Sequence, residues 1–452
     1  MEGPKKMKKL LLFLFVFSIT LIIIPEKNGA AENLQAMIDS LEEGAVIKLE
    51  DKTYEGNIVI NKPMTIIGAD KTTIKGDGTG NVISIKAANV TLKKLTVSHS
   101  SMNRNSAEEY AGIKIHTNGN VLDHIKITDS FHGIYLSQAH ENKISNVVII
   151  GMGKGEIAAQ GNGFHVYYSN DNLLSHNTIE GTRDGMFFEY ANKNESYENN
   201  ISHTRYGLHY MYSDENTFKK NTFTMNTGGA AIMNSNHLLL ADNHFIVNYG
   251  NQSFGLLLLQ ANDNQIKNNT FYMNQRGIYI DQATRNTLQG NKISQNQIGI
   301  ELWASSNEQI FTENLITENT IPAVTIGGSG ETNFWSQHGK GNDWGSSFPL
   351  TDLNQDGIGD FPITYRSSLY QLIEDQELSY LFLKSPALAI YEKMNAVLVD
   401  EKVMFNDPHP LATAKGNHHF ILFAAAGLAA VLILLKGRHL LCITFGRNGR
   451  KT

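Results

Sequence analysis

Residues Gly207 to Arg276 read GLHYMYSDENTFKKNTFTMNTG, then GAAIMNSNHLLLADNHFIVNYGNQSF, then GLLLLQANDNQIKNNTFYMNQR, each line opening on glycine and an apolar run. The same opening stands at Gly163 (GFHV), Gly185 (GMFF), Gly277 (GIYI) and Gly299 (GIEL), with a step of 22 residues broken once by a step of 26. Asn177, Asn199, Asn221, Asn243, Asn269, Asn291 and Asn314 form a second column, and Asn226, Asn248, Asn274, Asn296 and Asn319 a third. All three columns keep step through the same four-residue insertion. A fixed period of this length is the mark of a solenoid.

Each repeat holds short runs of period-two alternation separated by Asn, Asp, Ser or Gly, which suits short strands joined by tight turns. One coil cannot bury its apolar side, but stacked coils can line a continuous core, with equivalent Asn side chains bonding up the stack. The expected fold is therefore all-β, a right-handed parallel β-helix of about 22 residues per coil over residues 32–330. Earlier coils begin at Gly112 (GIKI) and Gly133 (GIYL), and the long step to Gly163 implies a loop around Met152 to Gln160. Leu34, Met37, Ile38 and Leu41 sit at helical spacing, as an amphipathic cap on the open N-terminal coil requires.

Lys5, Lys6, Lys8 and Lys9, an apolar run from Leu10 to Ile24, and small residues at Gly29, Ala30 and Ala31 read as an export signal over 1–31. A second apolar run over 417–436 is followed by basic residues over 437–452, the pattern of a transmembrane helix with a cytoplasmic tail. The expected product is extracytoplasmic and anchored in the membrane. A net charge of −6 with scattered charges excludes a nucleic-acid partner, and Cys442, the single cysteine, excludes internal disulfides and thiolate metal clusters.

Many β-helices cleave or epimerise polysaccharides, with several carboxylates gathered on adjacent coils. Here the residues before the repeat glycines are His132, Asn162, Asp184, Tyr206, Gly228, Phe254, Arg276 and Ile298, one carboxylate without a stacked partner. Asp407-Pro408-His409-Pro410 resembles an epimerase motif but lies past the last coil and lacks its second acid. No catalytic residue is assigned, and a polysaccharide-active enzyme stands as the alternative to a binding protein.

The outward positions of the glycine strands carry aromatic residues, His and Met rather than Thr, Lys and Glu. Tyr167, Phe187, Leu257, Leu259, Tyr279 and Trp303 mark a partner surface. Met211 and Met233 fall one coil apart, about 4.8 Å, with His209 beside Met211 and His165 two coils before. Thioether and imidazole together suit Cu(I), and few ligands suit transfer rather than storage. The alternative is that these side chains only build a protein-binding patch or lie under a loop. Past the coils, Asp352, Asn354, Asp356 and Asp360 alternate like the start of a Ca²⁺ loop, although Thr364 stands near the place of the distal bidentate Glu. A plain Asx-rich turn fits equally. Residues 331–416 combine this loop with a segment of helical spacing from Tyr365 to Val399.

YGLHYMYSDENTF (Tyr206 to Phe218), GNDWG, DLNQDGIGDFPI, KSPALAIYEKM and FNDPHPL together resemble the NosD family of nitrous oxide reductase maturation proteins, from the N-terminal cap to about Leu411. The resemblance implies a copper-binding extracytoplasmic protein that works with an ABC transporter, made of a membrane subunit and its ATPase, and with a copper chaperone. Together they would assemble the copper-sulfide cluster of nitrous oxide reductase. The family binds no nucleotide itself, and this chain has no Walker A pattern. The apparent C-terminal span departs from familiar members, which look like soluble periplasmic proteins.

Overall fold

The computed structural model describes residues 33–412, apart from 153–154, 251, 349 and several positions between 368 and 401. The export segment 1–31, the apolar run 417–436 and the tail 437–452 lie outside the described residues. No described helix is long and apolar enough to cross a membrane.

The chain winds as a right-handed parallel β-helix with three faces. The first face is a twelve-stranded parallel sheet running in chain order from Ile58–Ile60 to Ile321–Ile326. In a typical coil its strand is Tyr206–Met211, followed by Thr217–Lys219 on the second face and Thr222–Thr224 on the third. Single residues in left-handed backbone turn the corners, as at Tyr212, Lys220 and Met225 with φ of 53°, 57° and 55°. Such residues turn the chain abruptly, at a modest cost for any side chain with a Cβ.

The glycine column has a steric cause. A Cβ on Gly207 would lie 2.6 Å from Phe223 Cδ1 and 2.7 Å from the Gly229 carbonyl oxygen. Inside, Phe223, Phe245 and Phe271 stack with centroids 5.1 and 4.9 Å apart, so each coil buries its ring on the next. The Asn columns form the expected ladders. Asn199 Nδ2 donates to Asn221 Oδ1 at 2.9 Å and Asn221 Nδ2 to Asn243 Oδ1 at 3.0 Å, while each Asn Oδ1 also accepts the backbone N–H of the Asn one coil before. A further ladder runs through Asn120, Asn142, Asn172, Asn194 and Asn216.

Both ends are closed by side chains. The helix Leu34–Ser40 buries Leu34 and Ile38, and Gln35 pairs with both polar groups of Val59 on the first strand of the first face. At the other end, residues past 330 still bridge the last coils, Phe334 with Ile310 and Asp343 with Leu315. The helical segment expected from Tyr365 to Val399 is present over Pro386–Leu398 and needs correction at its start. Ile363–Ser367 is a strand that pairs antiparallel with Lys402–Asp407, placing Tyr365 opposite Phe405, and the described helix is Pro386–Leu398. Phe405 lies flat on Trp344 at 4.0 Å, so the hairpin seals the core.

Candidate functional site

The first face positions the predicted side chains in two outward columns, and the strand register confirms both. Tyr135, His165, Phe187, His209, Ala231, Leu257 and Tyr279 are successive cross-strand partners, as are Tyr167, Glu189, Met211, Met233 and Leu259. The face is less open than its composition suggests. His165 is 4% exposed, His209 8% and Leu257 7%, because neighbouring rings cover one another and side chains from the flanking column fold over them. Tyr167, Phe187, Leu259, Tyr279 and Trp303 remain half-buried.

Three chemically distinct zones follow along this face. In the middle coils, His209 Nδ1 lies 3.0 Å from Asp184 Oδ2. Asp184 is buried and takes a two-pronged ion pair from Arg205, at 2.8 Å from Nε and 2.6 Å from Nη2. Burial raises the Asp184 pKa, but the bonds and charges of His209 and Arg205 outweigh it and leave the carboxyl below its ordinary value. An ionised Asp184 places the imidazole proton on Nδ1 and leaves the Nε2 lone pair for another partner, the arrangement that orients a metal-binding His. The His209 ring stacks on Phe187 at 4.6 Å, and its other cross-strand neighbour is the small Ala231. Met211 and Met233 are direct cross-strand partners beside it.

The next zone is apolar. Ala231, Phe254 and Leu257 form an outward cluster with Tyr206, Met233, Leu259 and Tyr279 packed against it. Beyond it Arg276 Nε is bonded to Glu301 Oε2 at 2.9 Å, both buried. Burial, with Glu301 and Asp281 nearby, raises the Tyr279 pKa to about 12.

Toward the N-terminus lies a group the sequence did not single out. Single atoms of Glu109, His132 and His165 all lie within 4.8 Å of one another. His165 therefore does not join His209, Met211 and Met233, because Phe187 stands between, 4.9 Å from the His165 ring and 4.6 Å from that of His209. The geometry looks like a three-ligand metal centre, yet His132 Nδ1 accepts the Asn162 N–H at 2.9 Å. In neutral His132 the proton then sits on Nε2, the atom turned to the group, which offers a donor instead of a lone pair. Burial first, then the charges of His165, Lys114 and Arg183, hold the His132 pKa well below its ordinary value. The group supplies at most two metal ligands, Glu109 and His165.

The acidic loop is explained by its own bonds. Side-chain oxygens of Asp352, Asn354, Asp356 and Asp360 accept backbone N–H groups of Gly357, Asp356, Ile358 and Leu353 at 2.7 to 3.1 Å. The Asn354 and Asp356 bonds, each to the residue two positions on, are Asx turns, and the Asp352 and Asp360 bonds close the wider loop around them. Asp407-Pro408-His409-Pro410 lies in the C-terminal seal, where Asp407 is fully buried and accepts the Asn342 N–H.

Residues 151–347 match the family model described as periplasmic copper-binding protein (NosD), and residues 42–245 match the right-handed β-helix region model. The "probable ABC transporter binding protein NosD" of Pseudomonas aeruginosa is 32% identical over 374 residues, covering 79% of this chain and 86% of that one. The protein of the same name from Stutzerimonas stutzeri is 29% identical, covering 79% and 84%. Among solved structures, the A-module of the Azotobacter vinelandii mannuronan C-5 epimerase AlgE6 superposes with a TM-score of 0.53 at 14% identity, over 67% of this chain and 94% of that one. That likeness shows a shared fold. With the paired sequence motifs, the coil register and a relative of this identity and coverage in agreement, the chain belongs to the NosD family.

Proposed function

We propose that this chain is an exported accessory protein that carries Cu(I) to nitrous oxide reductase during assembly of its copper-sulfide cluster. The observation that carries the reading is the His209–Asp184 pair beside the Met211 and Met233 register. It combines one nitrogen donor, oriented by a buried carboxylate, with two thioethers. Such a set favours Cu(I) over harder ions and holds it through few bonds, so that a partner with more ligands can take it. The matched family is described as copper-binding and periplasmic, and its relatives as ABC transporter binding proteins. Copper is thus cargo here, loaded by a copper chaperone and passed on while the ABC transporter membrane subunit and its ATPase hold the chain in place.

The half-buried Tyr167, Phe187, Leu259, Tyr279 and Trp303, with Leu257 beneath, supply the rigid apolar anchors that protein partners use. No turnover chemistry is assigned. Asp184, the carboxylate closest to His209, already satisfies Arg205 and His209 and has no second acid beside it in its column. The test is maturation in cells that lack their own copy of this chain. The Met211→Leu/Met233→Leu protein should accumulate and fold, while the reductase it serves lacks the visible absorption of its copper-sulfide cluster. A fully metallated reductase with that variant would overturn the proposal.

A further inference from the structure

The corner that joins the third face to the first carries a second series of soft donors. The strand ends Glu180, Ser202, Thr224, Ile246 and Tyr272 are successive cross-strand partners. The residues that follow them, Gly181, His203, Met225, Val247 and Met273, therefore stack coil upon coil. His203, Met225 and Met273 all have left-handed backbone, with φ of 56°, 55° and 56°. Met225 is 44% exposed and Met273 48%, so packing does not select methionine there, and the turn itself favours Asn or Gly.

Beside His203 the loop before Gly161 leaves a half-open cleft. Gly151, Gly181, Ile157 and Glu180 line this cleft of about 360 Å³, and His203 forms its further wall. His203 Nδ1 lies 3.5 Å from Glu180 Oε1, so a carboxylate faces one ring nitrogen while Nε2 remains for a ligand. Met225 follows on the next coil, about 4.8 Å on. One coil step separates the two backbones, and the unbranched Met225 side chain is flexible enough to bring its thioether toward an ion on His203 Nε2. Met273 is two coils from Met225, about 9.6 Å, and cannot share the same ion.

We propose that His203 and Met225 form a second binding site for a soft monovalent cation of the Cu(I) class, at the corner that precedes the first-face strands rather than in the outward columns of His209 and Met211. This rests on the reading that the chain carries Cu(I), but it uses none of the first-face residues. The probe is Ag(I), which is soft, monovalent and redox-inert. The full chain is exposed to hydrogen peroxide with and without Ag(I), and methionine sulfoxide is read peptide by peptide by mass spectrometry.

At Ag(I) ten times above the dissociation constant, Met225 should oxidise about tenfold more slowly, because only about one site in eleven stays free. The exposed Met102 and Met394 should be unaffected, and His203→Gln should abolish protection at Met225 without changing the circular dichroism spectrum. Unchanged oxidation of Met225, equal protection of Met102, or protection that survives His203→Gln overturns the corner site. Protection of Met225 with none at Met211 and Met233 would instead overturn the first-face reading and leave the corner site standing.

Discussion

Asp407 Oδ2 accepts the backbone N–H of Asn342 at 2.8 Å and the Trp344 indole N–H at 2.9 Å, while its Oδ1 accepts the His409 N–H at 3.1 Å. Asn342 is the last rung of the ladder that rises through Asn314, so a single buried carboxylate terminates it. Burial raises the Asp407 pKa despite these bonds. Asp407→Ala strands three donors and should cost about 3 kcal/mol, with Asp407→Asn milder. Amide hydrogen exchange should quicken from the last coil and the C-terminal hairpin, leaving the Asn221 coil protected. Uniform protection in Asp407→Ala would contradict the capping role.

The glycine column gives a sharper steric prediction. Gly207→Ala sets a methyl group against the Gly229 carbonyl and the Phe223 ring, both under 3 Å away. Backbone cannot yield there without parting two coils, so the urea midpoint should fall by the equivalent of about 2 kcal/mol. The same change at Gly339, where nothing lies within 4 Å, meets only the strain of a left-handed φ of 75° and should cost about 1 kcal/mol.

Asp184 should make part of the stability depend on acid. Its folded pKa lies below the ordinary 3.8, so its ion pair contributes fully above that value and is lost as pH falls through the folded pKa. Asp184→Asn should therefore be less stable than the parent by about 2 kcal/mol at pH 7, with the gap shrinking below pH ~3.8. Urea titrations at both ends of this range provide the check. A gap that stays constant with pH would mean that Asp184 is not ionised in its pair.

The fold was legible because repetition makes non-local structure local. Once Gly207, Gly229 and Gly255 are aligned, the partner of every residue is known, and the Met211 and Met233 register follows. What repetition hides is whatever differs between coils. Arg205 reaches back to Asp184 and Glu109 folds in from an irregular loop, so neither the His209 orientation nor the Glu109, His132 and His165 group had a column to mark it. The outward columns were assigned correctly, but alternation tells which way a side chain points and not whether its neighbours cover it. Likewise helical spacing around Tyr365 could not reveal a strand whose partner, Phe405, stands 40 residues on.

Cu(I) held on the first face by His209, Met211 and Met233 is measured by competition titration of the full chain against a chromogenic Cu(I) chelator, with Met211→Leu/Met233→Leu alongside and folding verified by circular dichroism. Saturable binding that weakens by about tenfold or more in the folded variant, the equivalent of roughly 1.4 kcal/mol, is the predicted result. Equal affinity in both proteins, or no competition by either, would contradict it and leave the first face as a docking surface alone.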